Sequence, residues 1–328
     1  MAASKPFFSA APMEGLTGFV WRAVHSRFFG SADAYYTPFV TPTLEPRFTE
    51  RQLRELAPEV NAGRNVIPQL LTRRPADFVW AARALRDMGY REVNLNLGCP
   101  AGTVVAKGKG AGFLRTPSEL ADFLRIVFDE VQGIDVSVKT RIGWSEESEF
   151  EDLADLYAHF PICRLIVHPR LKTDQYKGDA RRHVLERLYP DLPMPVGYNG
   201  DIVTAFDAEQ VQRQFPGLAE IMIGRALMAD PALIRKARGG MPAGAEEIFG
   251  FSDALFESYA SAFGSRKNAL MRMKEYWFFQ LCLFDRTEPF EKAMFKARSE
   301  ADFFGALAAV RENCPLRSEA RYGWRKPL

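Results

Sequence analysis

Glu92-Val93-Asn94-Leu95-Asn96-Leu97, then Pro117-Ser118-Glu119-Leu120-Ala121-Asp122-Phe123-Leu124-Arg125-Ile126-Val127-Phe128-Asp129-Glu130-Val131, then Asp135-Val136-Ser137-Val138-Lys139-Thr140: this succession in the middle of the chain decides the fold. The outer two runs are short and strand-like, while the middle one has a helical period and opens on proline, which the first turn of a helix tolerates well. A strand, a helix and a second strand in this order make a βα unit and a parallel pair. The rhythm extends in both directions. Further strands are predicted over 6–13, 34–40, 65–71, 165–168, 196–199 and 220–223, and further helices over 76–88, 152–160, 205–214 and 231–237, the last with Pro231 in its first turn. Eight such strands are the content of a (β/α)8 TIM barrel, whose active site is built at the carboxyl ends of the strands. A doubly wound sheet is the competing α/β architecture. It is disfavoured because the first strand runs into Glu14-Gly15-Leu16-Thr17-Gly18, which is not the G-x-G-x-x-G turn of a dinucleotide fold.

The stretch Gly239-Gly240-Met241-Pro242-Ala243-Gly244 marks a change of composition, and beyond it no strand pattern returns. Residues 245–328 read as helices over 248–263, 267–284 and 291–311. The expected organisation is a barrel domain over 1–240 followed by a smaller C-terminal helical domain over 245–328. A chain of 328 residues, 47% hydrophobic and 26% charged, can bury a full core. Its formal net charge of only +2 excludes a global basic field, so any nucleic acid must be met by local patches. The four cysteines show no C-x-x-C spacing, which argues against zinc and against a disulfide framework. Without an apolar leader or a run long enough to cross a bilayer, the expected setting is reducing and cytoplasmic, with no membrane and no metal.

Unusual polar residues fall at the ends of the predicted strands. Pro12, Met13 and Glu14 follow the first, Gln69 lies in the third, and Asn96 and Cys99 end the fourth. Lys139 and Arg141 end the fifth, His168 the sixth, Asn199, Gly200 and Asp201 the seventh, and Gly224 and Arg225 the eighth. Scattered in sequence, they converge on one mouth in a barrel, as a catalytic face requires. Loops after the last two strands of such barrels often hold phosphate, and Gly200 and Gly224 with Arg225 suit that use.

The segment Asn94-Leu95-Asn96-Leu97-Gly98-Cys99-Pro100, followed by Gly108-Lys109-Gly110-Ala111, resembles the signature of the tRNA-dihydrouridine synthases. Further matches run in the family's order: Ala11 to Glu14, Gln69, Val138 to Gly143, Val167 to Arg170, Asn199 to Asp201 and Met222 to Arg225. The resemblance implies an FMN site made by Pro12, Met13, Glu14, Gln69, Lys139, His168, Asn199, Gly200, Asp201, Gly224 and Arg225. It implies NADPH as reductant, and tRNA as substrate, with Asn96 hydrogen-bonding the uracil or flavin edge and Arg141, Tyr176, Lys107 and Lys109 contacting the substrate. Hydride would reach C6 of a flipped-out uridine, and Cys99 would give the proton to C5. Chemistry agrees, because hydride addition leaves enolate-like charge that a proton donor must quench. An ordinary thiol, with a pKa of about 8.5, still carries its proton at neutral pH. Cys99 is therefore expected to be a general acid, not an activated thiolate. Two positions depart from the family pattern: Pro169 stands where a small residue is usual, and Lys177 stands where arginine is common.

Plainer readings apply elsewhere. Cys163, Cys282 and Cys314 read as small core residues, and His25, His159 and His183 as surface or helix residues. The run Tyr276-Trp277-Phe278-Phe279 shares a helix with Met273 and Leu281, so packing is preferred to base stacking. The tail with Arg317, Arg321, Arg325 and Lys326 around Tyr322 and Trp324 is the most basic short segment and a candidate tRNA contact. Two competing functions are a flavin barrel enzyme acting on a free small molecule, such as a dihydropyrimidine-type dehydrogenase or an ene-reductase, and a non-catalytic RNA-binding module. The helical C-terminal region speaks against the first and Cys99 against the second. The Ala-Pro-Met-Glu-Gly opening leans towards the position-16 branch of the family, and a monomer suits a large RNA partner.

Overall fold

A computed structural model of the chain describes residues 7–320. Nine strands, all parallel, form one sheet: β1 Phe7–Ala10, β2 Ala34–Tyr36, β3 Val66–Ile67, β4 Gln69–Leu70, β5 Glu92–Leu97, β6 Asp135–Gly143, β7 Leu165–Leu171, β8 Val196–Asn199 and β9 Glu220–Ile223. Their order is β3-β2-β1-β9-β8-β7-β6-β5-β4, so the two ends of the sheet are β3 and β4, neighbours in sequence. Pro68 separates them, and proline has no N–H to give to a ladder. The carbonyl of Ile67 accepts from the Thr37 amide at 3.0 Å on one side, and that of Pro68 from the Asn94 amide at 2.8 Å on the other. The predicted third strand is thus one segment that hands its pairing from β2 to β5, and the sheet curls into a TIM barrel.

The strands differ from expectation in length. β2 stops at Tyr36 where Pro38 follows, whereas β6 and β7 run on to Gly143 and Leu171 through residues whose polarity reads as loop. Pro169 sits within β7 where the β6–β7 register shifts between Arg141 and Gly143, a place where a missing donor costs no ladder bond. The expected helices 76–88, 117–131 and 152–160 are found at Pro75–Asp87, Pro117–Glu130 and Glu149–Ala158. The helix Pro117–Glu130 buries Leu120, Phe123, Leu124 and Val127, one stripe of an amphipathic helix. Pro231 is not in a first turn. It lies in a turn between the helices Arg225–Ala229 and Leu233–Ala237.

The described residues form two compact units. One holds every strand and comprises residues 7–12, Asp33–Asp201 and Gln210–Ile223. The other comprises Met13–Ala32, Ile202–Glu209 and residues 224–320. Its long helices are Phe19–Phe29, Ala245–Phe263, Arg266–Gln280, Glu288–Lys296 and Glu300–Asn313. The last two were expected as one. Ser299 and Asp302 form a reciprocal capping box that starts a new helix there. Tyr276, Trp277 and Phe279 are buried, with Trp277 stacked 5.7 Å from Phe249 and its indole N–H donating to Ser252 Oγ at 2.8 Å, so the aromatic run packs the bundle. Of the basic tail only Arg317 is described, paired with Asp285; residues 321–328 lie outside the described residues. No helix among the described residues is long and apolar enough to cross a membrane.

His25 is buried in this second unit, its Nε2 2.9 Å from the Pro231 carbonyl oxygen and its ring stacked on Trp21. Burial, partly opposed by the hydrogen bond to Pro231, pulls its pKa down to about 4. The unfolded chain therefore binds a proton between pH 6.5 and 4 that the folded chain refuses, and stability falls as pH falls through that window. The expected loss is about 3 kcal/mol by pH 4. Melting curves from pH 7 down to 4.5 should fall more steeply for the native chain than for His25→Leu; parallel curves would exclude this contribution.

Candidate active site

Strand alternation turns one face of every strand into the barrel, and here that face combines an apolar cluster of Ala11, Ala34, Tyr36, Ile67, Ile166 and Met222 with polar side chains at either end. At the amino ends, Glu220 on β9 is fully buried and accepts from Arg164 Nη1 at 2.8 Å, Tyr36 Oη at 3.1 Å and the Ser9 hydroxyl. Burial pushes the Glu220 carboxyl up, Arg164 pulls it back down, and Glu92 lies 3.6 Å from the same guanidinium. One level higher, Asn94 donates to Ser137 Oγ at 2.8 Å and accepts from Gln69 Nε2 at 2.8 Å. The Gln69 carbonyl oxygen in turn accepts from Asn96 Nδ2 at 2.7 Å. Asn94 and Asn96, two apart on β5, thus hang from one glutamine.

Asn96 then builds the turn that presents the thiol. Its Oδ1 accepts from the amides of Gly98 at 3.0 Å and Cys99 at 2.9 Å. Arg141 Nε donates to the Gly98 carbonyl at 2.9 Å and Nη1 to that of Leu171 at 2.7 Å. The Cys99 carbonyl accepts from the Ala111 amide at 3.0 Å. Gly110, at φ +56°, lies so close that a β-carbon there would come within 2.8 Å of that carbonyl oxygen. The Gly108 to Ala111 motif therefore braces the Cys99 turn, and Cys99 itself is half-buried.

Lys139 is the registered neighbour of Asn96 on β6. Burial, followed by the like charge of Arg141, pulls its ammonium down to about 7, while Cys99 and Glu220 act the other way. The residue keeps some accessible area, so entering water weakens this effect. Among the described residues no hydrogen bond or ion pair reaches the Lys139 ammonium. Arg141 is almost wholly buried, and burial draws it down to about 10, still a cation at neutral pH. Its guanidinium lies 5.3 Å over the ring of the exposed Tyr176.

On β7, His168 Nε2 lies 3.0 Å from Arg170 Nη1. A guanidinium cannot accept a hydrogen bond, so Nε2 accepts, and the neutral ring carries its proton on Nδ1. Arg170 Nη2 also reaches both Asp201 oxygens, at 2.9 and 2.7 Å. Gly200 has φ +142°, and a β-carbon there would press on His168 Cδ2 at 3.1 Å. Its side of the loop is thus kept bare for the imidazole, a closer reason for glycine than phosphate binding. Asn199 Nδ2 donates to the Met222 carbonyl at 2.8 Å.

The barrel unit thus brings together Gln69, Asn96, Cys99, Lys139, Arg141, His168, Tyr176, Asn199, Gly200 and Asp201, with Pro12 at the end of β1. Lys107 and Lys109 lie in the loop after β5, Lys109 facing Asp77 and Arg74, and neither joins this network. Met13, Glu14, Gly224 and Arg225 belong to the second unit, directly after β1 and β9 in the chain. There Met13 N donates to Thr17 Oγ1 at 2.8 Å, and Gly224 O accepts from Leu227 N. Sequence reasoning missed Arg170 and Asn94 as site residues. For Asn94 the signal was available, since it stands two residues from Asn96 on the same face of its strand; for Arg170 it was not, because the expected strand ended at His168. Among the described residues no cluster of three or more histidine, cysteine or acidic side chains is placed to hold a metal.

Comparison with known proteins agrees with this geometry. A solved 2-naphthoyl-CoA reductase complex superimposes with a TM-score of 0.56 at 11% identity, over 71% of this chain and 50% of that one. An old yellow enzyme homologue from Zymomonas mobilis gives 0.52 at 13%, over 74% and 90%. At such identity these show a shared fold. In sequence, the chain is 34% identical to a tRNA-dihydrouridine(16) synthase of Cupriavidus necator over 241 residues, 70% of this chain and 73% of the relative. It is 29% identical to a probable tRNA-dihydrouridine synthase of Rhodobacter capsulatus over 262 residues, 76% and 77% of the two chains. The profile described as dihydrouridine synthase matches residues 9–300, across the barrel and most of the helices that follow, and the chain belongs to the dihydrouridine synthase family.

Proposed function

We propose that this protein reduces the C5=C6 bond of specific uridines in tRNA to dihydrouridine, using FMN with NADPH as reductant and Cys99 as proton donor. The observation that carries the reading is the Lys139 ammonium, largely buried at the carboxyl end of the barrel, with no acceptor among the described residues and within Coulombic reach of the Cys99 turn. A buried cation of this kind needs an electron-rich partner. A flavin fits: Lys139, Gln69 and neutral His168 would face its ring, and Asn199, Gly200, Asp201, Gly224 and Arg225, with Pro12, Met13 and Glu14, would hold the remainder. When bound, FMN supplies the hydride that adds to C6 of uracil.

The chain's own residues supply the rest. Cys99 holds a proton for C5, its turn fixed on both sides by Asn96, Arg141 and Ala111. Asn96 is a positioning residue, since its oxygen is spent on the Gly98 and Cys99 amides. Arg141 and Tyr176 would contact the uridine, and Lys107 and Lys109, in the loop after β5, would reach its phosphates. The base must leave the RNA stack to reach this mouth, at a cost of a few kcal/mol that such contacts offset. The helical C-terminal region would hold the rest of the tRNA. The relative named for position 16 supports that uridine as the target.

The test is anaerobic. Purified protein should be yellow, bleach with NADPH, recover its colour on adding tRNA that lacks dihydrouridine, and yield dihydrouridine detectable by mass spectrometry at position 16. A protein that recovers with small enones but ignores tRNA would refute the reading. A pH dependence follows as well. Lys139 loses its proton as pH rises through about 7 in the protein alone, and a ligand acceptor restores it, so binding takes up a proton. FMN affinity of the stripped protein should fall towards about tenfold per pH unit above 7. Lys139→Met should bind more weakly with a flat profile; an unchanged slope in that variant would assign the proton elsewhere.

A further inference from the structure

Three rim loops meet at Trp144. It directly follows β6, Lys172 directly follows β7, and Arg115 ends the 3-10 turn Gly110–Arg115 whose Ala111 is bonded to Cys99. The Arg115 guanidinium lies 4.7 Å from the centre of the indole and the Lys172 ammonium 4.5 Å. Contacts of this type draw a cation onto the ring face. They hold both cations in place without neutralising them. Neither cation has a hydrogen bond or an ion pair among the described residues. The nearby carboxylates are engaged elsewhere: Glu149 caps the amides of Trp144, Ser145 and Glu146, and Glu147 is paired with Arg181 and His183. Other rim arginines are neutralised, Arg73 by Glu119 and Arg181 by Asp174.

We propose that Arg115, Trp144 and Lys172 form a clamp for the RNA phosphodiester backbone, engaging phosphates next to the nucleotide whose base enters the barrel. The proposal rests on tRNA being the substrate. Two uncompensated positive charges at the carboxyl rim match a polyanion, and with the indole engaged by both cations it is their N–H groups that meet the ligand. Phosphate contacts set register and orientation and carry no base information, so the clamp serves any tRNA sequence equally. Its attachment to the segment that braces Cys99 joins backbone capture to the thiol.

The experiment measures affinity of the FMN-loaded protein for bulk tRNA lacking dihydrouridine, as a function of salt. Lys172→Met and Arg115→Met should each weaken binding about five- to eightfold at ~0.1 M salt and reduce the slope of log affinity against log salt by about 0.7–0.9. The double variant should lose about twice that slope. Lys172→Arg should retain it, and Trp144→Ala, which keeps both charges, should weaken binding with little change in slope. Melting temperature and NADPH bleaching should stay as in the native protein. Native affinity and slope in the double variant, in a protein that still reduces tRNA, would overturn the clamp alone. Failure of the unmodified protein to bind or reduce tRNA would overturn the functional reading and the clamp with it.

Discussion

Cys99→Ala should bleach with NADPH at the native rate yet recover its colour with tRNA about 10²–10⁴-fold more slowly, the usual contribution of a positioned proton donor. What the structure adds is why the variant should fold intact. Cys99 contributes its backbone to the turn through bonds that alanine keeps, namely the amide to Asn96 Oδ1 and the carbonyl from Ala111. The variant thus removes sulfur without dismantling the rim. Cys99→Ser tests the same point from the other side, because a hydroxyl holds its proton far more tightly than a thiol and should rescue little. Equal reoxidation rates in native and alanine proteins would remove the thiol from the reaction.

The second large effect is on folding. Glu220 is fully buried and receives Arg164, Tyr36 and Ser9, so Glu220→Ala leaves a guanidinium inside the barrel with Glu92 at 3.6 Å as its remaining carboxylate and the Tyr36 hydroxyl at 3.2 Å. Breaking one partner of a buried pair costs about 3–5 kcal/mol. For a barrel of this size that is a fall in melting temperature of about 6–20 °C. Replacing both partners with apolar residues, Glu220→Leu with Arg164→Met, should recover much of the loss, since a well-packed apolar pair can match an ionic one. Should Glu220→Ala melt within about 2 °C of the native chain, the pair is not structural.

Most of the architecture was legible because strand and helix periods are local. The carboxyl-end residues could be chosen because a barrel maps strand ends onto one mouth, and the match to family motifs ordered them. What the sequence withheld depends on partners distant along the chain. Glu220 and Arg164 lie at the starts of strands, and nothing in their neighbours says that they face each other inside a cylinder. Arg170 lay beyond the predicted strand and Asn94 read as part of the motif around Cys99, and their bonds to His168 and Gln69 are what bring them into the site. Pro231 misled because a proline before an apolar run marks a helix start as often as a turn between two helices. Trp144 is silent for the same reason: its cations come from two other loops, at positions 115 and 172.

Pro68 carries one more consequence. The break it makes is where the cylinder seals, and Gln69, the next residue, is the peg from which Asn96 and so the Cys99 turn are suspended. Closing the seam and supporting the Cys99 turn thus fall to adjacent residues, so a change that shifts Pro68 reaches the thiol through one side chain, Gln69, and one asparagine, Asn96.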